Sequence, residues 1–155
     1  DERATVDFIC DGVHAHPAAI RAALAAKGPC GVVAITDANV GAGLPGGTYR
    51  TPWGYSVSVI PGDAARIADR HHPQHGCLAG SALTLNTAVA NLQRIGISEA
   101  ASWMMATHNP ARVIGLSDRG MIEPSLAADI VLWDDDFHPR QVWIQGRCAY
   151  EREPD

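Results

Sequence analysis

Hydrophobic positions in the first quarter of the chain fall into two short runs separated by a stretch of helix formers. Thr5 to Cys10 (TVDFIC) is β-branched and aromatic and breaks at Asp11-Gly12, the pattern of a buried strand ending in a turn. Pro17 opens PAAIRAALAAK, which sets Ile20, Ala23 and Leu24 on one face and stops at Gly28, predicting a helix over 17–27. Gly31 to Thr36 (GVVAIT) is nearly continuous in apolar residues rather than alternating, as expected of a strand covered on both faces. Strand, helix and strand within about 30 residues make a βαβ unit with parallel strands.

After Asp37 the pattern changes to a Gly-rich loop and then TYRTPWGYSVSVI, in which Tyr55, Val57 and Val59 alternate with Ser56 and Ser58, a hairpin turning at Pro52-Trp53-Gly54. Arg66 to Ser81 (RIADRHHPQHGCLAGS) reads as a polar loop. Leu85, Val89 and Leu92 share a face of a helix from Leu83 to Ile95 that ends at Gly96. Ser98 caps a further helix to about Thr107, and Asn109-Pro110 starts a short one ending at Gly115. ADIVLWD from Ala128, a turn over 134–139 and QVWIQGRCAY give two or three terminal strands. These pieces do not close into a self-contained sheet; they read as the end of something larger.

Composition narrows the class. Of 155 residues, 46% are hydrophobic and 19% charged, with a net charge of -5, which describes a folded rather than a disordered chain. Twelve Lys+Arg against 17 Asp+Glu, with no basic cluster, argue against nucleic acid as a partner. The apolar runs fall far short of the ~20 residues of a membrane-spanning helix. Cys10, Cys30, Cys77 and Cys148 are widely spaced without a CxxC, so they read as free thiols in a cytoplasmic protein. The sequence opens Asp1-Glu2-Arg3, with neither an initiator Met nor a signal region, and sequence upstream is expected.

Two side chains stand where parallel α/β proteins gather chemistry. Asp37 lies at the C-terminal end of the second strand, and His14 lies four residues past the end of the first. As isolated residues they would be a loop cap and a turn histidine, His16 included; as a pair at one sheet edge they face one pocket. His71, His72, His75 and Cys77 carry zinc-ligand chemistry, but their spacing matches no structural-zinc pattern and they read as incidental residues of a solvated loop. Trp103, Met104 and Met105 read as helix packing. GAGLPGG lacks the Lys-Ser/Thr of a phosphate loop and reads as a flexible substrate-side lid.

DGVHAHP (11–17), ITDANVGAG (35–43), LAGSALTL (78–85), NPARVIGLSDRGMIEP (109–124) and then ADIVLWD (128–134) occur in this order and together resemble the N-acetylglucosamine-6-phosphate deacetylase family of the amidohydrolase superfamily. The resemblance implies an α/β fold: the C-terminal part of a (β/α)8 barrel, its last two strands and following helices, plus the C-terminal strands of a small β-sandwich. It divides the chain into 1–122, with a hairpin and loop insertion at about 38–80, and 123–155. A whole barrel needs about 250 residues, so the first six strands are expected elsewhere, in a missing N-terminal half or a companion chain.

The resemblance also implies chemistry: hydrolysis of the acetamide of N-acetylglucosamine 6-phosphate to glucosamine 6-phosphate and acetate, with a divalent metal, zinc or iron. Asp37 matches the general base and acid, and it could reach the metal through its water. His14 matches a substrate-contacting histidine. Asp11, Gly12, Val13 and His14, with Leu78, Ala79 and Gly80, match loops lining the sugar site; Ala79 stands where Ser is common. The family's metal ligands, a Glu and two His, have no counterpart here, so no metal ligand is assigned in this chain. Complete members are commonly homodimers. Two other readings are another amidohydrolase acting on a cyclic amide or N-acyl amine, and a non-catalytic fragment or assembly module that pairs with a separate half-barrel. Alone, the chain exposes unpaired edges and is expected to be insoluble or oligomeric; a monodisperse, cooperatively folding monomer by sedimentation and calorimetry would contradict this.

Overall fold

The computed structural model describes residues 1–61 and 63–153. Strand β1 (Val6–Ile9), helix α1 (Pro17–Lys27) and strand β2 (Val32–Ile35) form the expected unit, with β1 and β2 parallel and Val6 paired with Val32 through to Ile9 with Ile35. Local chemistry fixes the helix ends. The ring of His16 accepts from the Ala18 N–H at 3.1 Å, Pro17 stands in the first turn, and Gly28, at φ 69°, closes the helix with its N–H on the Leu24 carbonyl.

Helices α2 (Leu85–Arg94), α3 (Glu99–Ala106) and α4 (His108–Val113) follow, and α1 to α4 all pack on β2. The main core joins Cys10, Val32 and Ala34 of the parallel pair to Ile20, Leu92 and Met105 of the helices. Val32, Leu92 and Met105 are fully buried, each stabilising by about 1.5–3 kcal/mol relative to an exposed side chain.

The middle segment holds more structure than the pattern predicts. Strands β3 (Gly47–Arg50), β4 (Ser56–Val59), β5 (Ala64–Ile67) and β6 (Leu78–Ser81) form one antiparallel sheet in chain order. The hairpin at Pro52–Gly54 is present, but the stretch expected as a polar loop contributes the end of β5 and all of β6. The two alanines of β5 are buried although alanine is a weak strand former, which is why the pattern hid this strand. The histidine-rich residues make the connection, closed where Gly76 N–H meets the Ile67 carbonyl and Ile67 N–H the Cys77 carbonyl. The Gly-rich loop is also less free than expected: Gly41 is buried, and a Cβ there would come within 2.6 Å of Val59 and 2.7 Å of Tyr49.

Strands β7 (Ile130–Trp133), β8 (Pro139–Ile144) and β9 (Arg147–Glu151) form an antiparallel sheet. Trp103 of α3 holds it, with ring centroids 5.5 Å from Trp133 and 6.0 Å from Phe137, and Asn86 donates to the Phe137 carbonyl at 2.9 Å. All four cysteines are free thiols, Cys10 buried and the others exposed. Among the described residues no helix is long and apolar enough to cross a membrane.

Asn109 is wholly buried, and its amide donates to the Pro29 carbonyl at 2.7 Å and the Val32 carbonyl at 2.6 Å, tying α4 to the entry of β2. Asn109→Ala removes both bonds and leaves a void in their place, so a stability loss of roughly 2–4 kcal/mol is expected in urea unfolding; an unchanged midpoint would show that the tie contributes nothing.

Candidate functional site

The paired Ile9 and Ile35 end the two parallel strands, and Asp11 and Asp37 each stand two residues beyond them. Both carboxylates therefore leave the same edge of the sheet, as the parallel reading requires.

Past β1, Gly12 takes φ 80° and lets the chain turn back over Asp11. One oxygen of Asp11, Oδ1, accepts from the N–H groups of Val13 and His14 at 2.9 Å each; Oδ2 lies 2.7 Å from His14 Nδ1. The Asp11 side chain is only 6% exposed and that of His14 17%. Burial alone would raise the Asp11 pKa, but the N–H groups of His14 and Val13 and the His14 ring together hold it below the usual carboxylate range. The neighbouring Cys10 thiol is pushed up to about 12 by burial and then by the Asp11 charge, so it stays protonated and inert. Gly12 and Val13 are exposed.

Past β2, Asp37 adopts φ 48°, a left-handed conformation that aspartate tolerates better than most residues. A seam with β6 holds it there. Ser81 N–H donates to the Asp37 carbonyl at 2.7 Å, Asn39 N–H donates to the Ser81 carbonyl at 2.8 Å, and Ala38 bridges Ser81 in parallel sense. The side chains of Asn39 and Ser81 complete it by donating to the Ala79 and Thr36 carbonyls. Gly80, at φ 70°, lies so close that a Cβ would sit 2.7 Å from the Asp37 carbonyl oxygen and 3.6 Å from its Oδ2. Of the residues matched by motif, Ala79 and Gly80 thus meet the Asp37 segment directly, Leu78 pairs with Arg66 at the start of β6, and Asp11 meets His14. Asn39 and Ser81 were not singled out in the sequence; the only signal was their place inside ITDANVGAG and LAGSALTL.

A cleft of about 470 Å³ opens beside Asp11, lined by Leu44, Asp63, Thr84, Asn91 and Arg94, while an apolar groove of about 490 Å³ between α3 and β7 lies away from these carboxylates. His72 serves its turn: Nδ1 accepts from Gln74 N–H at 3.1 Å and the ring packs on Tyr55 at 5.3 Å. Among the described residues no three His, Cys, Asp or Glu side chains converge as a metal site.

The amidohydrolase family model matches residues 13–149, and the chain belongs to that family. It is similar to a provisionally assigned N-acetylgalactosamine-6-phosphate deacetylase of Escherichia coli (strain K12), 37% identical over 96% of this chain and 85% of that protein. It is also similar to the N-acetylglucosamine-6-phosphate deacetylase of Vibrio furnissii, 34% identical over 94% of this chain but 35% of the relative. The crystal structure of the N-acetylglucosamine-6-phosphate deacetylase from Thermotoga maritima superposes with a TM-score of 0.79 at 31% identity, over 96% of this chain and 39% of that one. The chain therefore spans most of the first relative and little more than a third of the other two.

Gly80→Ala drives a Cβ into the Asp37 carbonyl, whereas Gly76→Ala, equally left-handed at φ 80°, meets nothing within 4 Å. Both pay the conformational cost of about 1–2 kcal/mol; thermal unfolding is expected to show the larger loss at Gly80, and equal losses would mean that the seam yields freely.

Proposed function

We propose that this chain supplies the general acid/base and the substrate loops of a metal-dependent deacetylase that hydrolyses N-acetylglucosamine 6-phosphate to glucosamine 6-phosphate and acetate. The observation that carries the reading is the shared edge: Asp37 and the Asp11–His14 pair stand at equivalent positions beyond two parallel strands, in a chain of the amidohydrolase family. In this reading β1 and β2 are the last two strands of a (β/α)8 barrel spanning residues 1–122, 38–80 are an insertion, and 123–155 are the C-terminal strands of a sandwich. The remaining strands come from an N-terminal half or a companion chain, and the complete enzyme is a cytoplasmic homodimer.

The reaction needs a proton to move twice. Water adds to the acetamide carbon, and the C–N bond breaks only when the nitrogen leaves as a protonated amine. Asp37 is exposed at its strand end and takes the proton from the attacking water, then returns it to the nitrogen. The loop 11–14 on one side, with Gly12, Val13 and His14 toward the sugar and the Asp11 carboxylate turned to His14, and Leu78, Ala79 and Gly80 on the other, line the substrate site. Amidohydrolases are typically metal-dependent, and zinc or iron suits amide activation. In this reading its ligands, a Glu and two His, belong to the remainder of the enzyme. A galacto-configured substrate is a second reading, favoured by the E. coli K12 relative at 37% identity.

The test is acetate release from both N-acetylhexosamine 6-phosphates by the protein together with any chain that accompanies it. Asp37→Asn is expected to lower kcat by about 10²–10⁴-fold with KM little changed; turnover unaffected by this substitution would overturn the assignment.

A further inference from the structure

We infer that Asp11 is a positioning residue: it does not meet the substrate itself, but fixes the proton of His14 on Nδ1 and leaves Nε2 as the one ring nitrogen open to ligand. The inference rests on the reading of His14 as a substrate residue and adds how that residue is set.

The geometry leaves Asp11 little else to do. Oδ1 is taken by two backbone N–H groups, Oδ2 by the imidazole, and the side chain is almost closed to solvent. An ionised carboxylate only accepts, so the hydrogen at the 2.7 Å contact belongs to His14 Nδ1. The lowered Asp11 pKa keeps the carboxylate ionised at neutral pH. The two backbone bonds close the Asp11–His14 turn, so the carboxylate and the ring it orients are locked to one another and to the end of β1. A histidine held in this way presents Nε2 either as an acceptor, when neutral, or as a donor, when cationic, and the carboxylate accommodates both.

Asp11→Asn separates this role from a structural one. The turn requires an acceptor at the Oδ1 position, so the amide oxygen stays there and the NH₂ group takes the place of Oδ2. That group donates, so His14 Nδ1 must become an acceptor and the proton moves to Nε2. The turn is preserved while the face offered to ligand is reversed.

The experiment has two arms on the protein with its accompanying chain. Nitrogen-15 NMR of the His14 ring reads the tautomer: a protonated Nδ1 is expected in the unsubstituted protein, and a proton on Nε2 in Asp11→Asn. Steady-state kinetics on N-acetylglucosamine 6-phosphate read the consequence: KM is expected to rise about tenfold or more in Asp11→Asn, the equivalent of one lost charge-assisted hydrogen bond, with a smaller change in kcat. An unprotonated Nδ1 in the unsubstituted protein overturns the inference, and so does a tautomer swap that leaves KM unchanged. Absence of turnover in the unsubstituted protein overturns the deacetylase reading instead, and the NMR arm still decides whether Asp11 sets His14.

Discussion

The short seam between the end of β2 and the end of β6 is the constraint on which the arrangement of the site depends. Two backbone hydrogen bonds join Asp37 and Asn39 to Ser81, and two side-chain bonds from Asn39 and Ser81 close it. Without them β2 would end in a loop with no backbone pairing to the antiparallel sheet of β3 to β6. With them, the backbone of Asp37 is held in a left-handed conformation costing about 1–2 kcal/mol, and its carboxylate leaves the sheet in a fixed place. The absence of a side chain at Gly80 is what lets the two backbones approach so closely.

Burial organises the other half of the edge. The core around Cys10 is apolar, and Cys10 sits in it as a protonated thiol, so among the described core residues none carries a charge to balance Asp11. Asp11 is satisfied instead by two N–H groups and the His14 ring. Asn91 of α2 donates to the Cys10 carbonyl at 2.9 Å and anchors the strand end to the helix layer. The backbone of each aspartate is thus held by contacts to rigid elements, the preorganisation that the proposed acid/base role of Asp37 requires.

Much of this was legible beforehand, and what was not has physical causes. The parallel pair and α1 announce themselves through β-branched runs, Pro17 and Gly28. The C-terminal strands follow from the same rule, and Ser98 caps α3 as its position suggests. Strands β5 and β6 were hidden because Ala64, Ala65 and the LAGS segment carry almost no strand signal; β5 is made a strand by burial and by pairing with β4, and β6 by pairing with β5. The seam was invisible for a different reason, since nothing local couples residue 39 to residue 81. The motifs grouped Asp11 with the substrate residues, and only the occupied lone pairs of its carboxylate point to an action through His14. Asn109 lay in a recognised motif, yet its two buried carbonyl contacts could not be read from the string NPA.

Amide hydrogen exchange at Ser81 and Asn39 tests the seam most directly, because these N–H groups form it. Protection close to that of Val33 and Ala34 inside β2 is expected, with both amides opening together. Exchange at the rate of the exposed hairpin tip around Gly54 would contradict a fixed Asp37, and with it the proposal that this sheet edge places the acid/base.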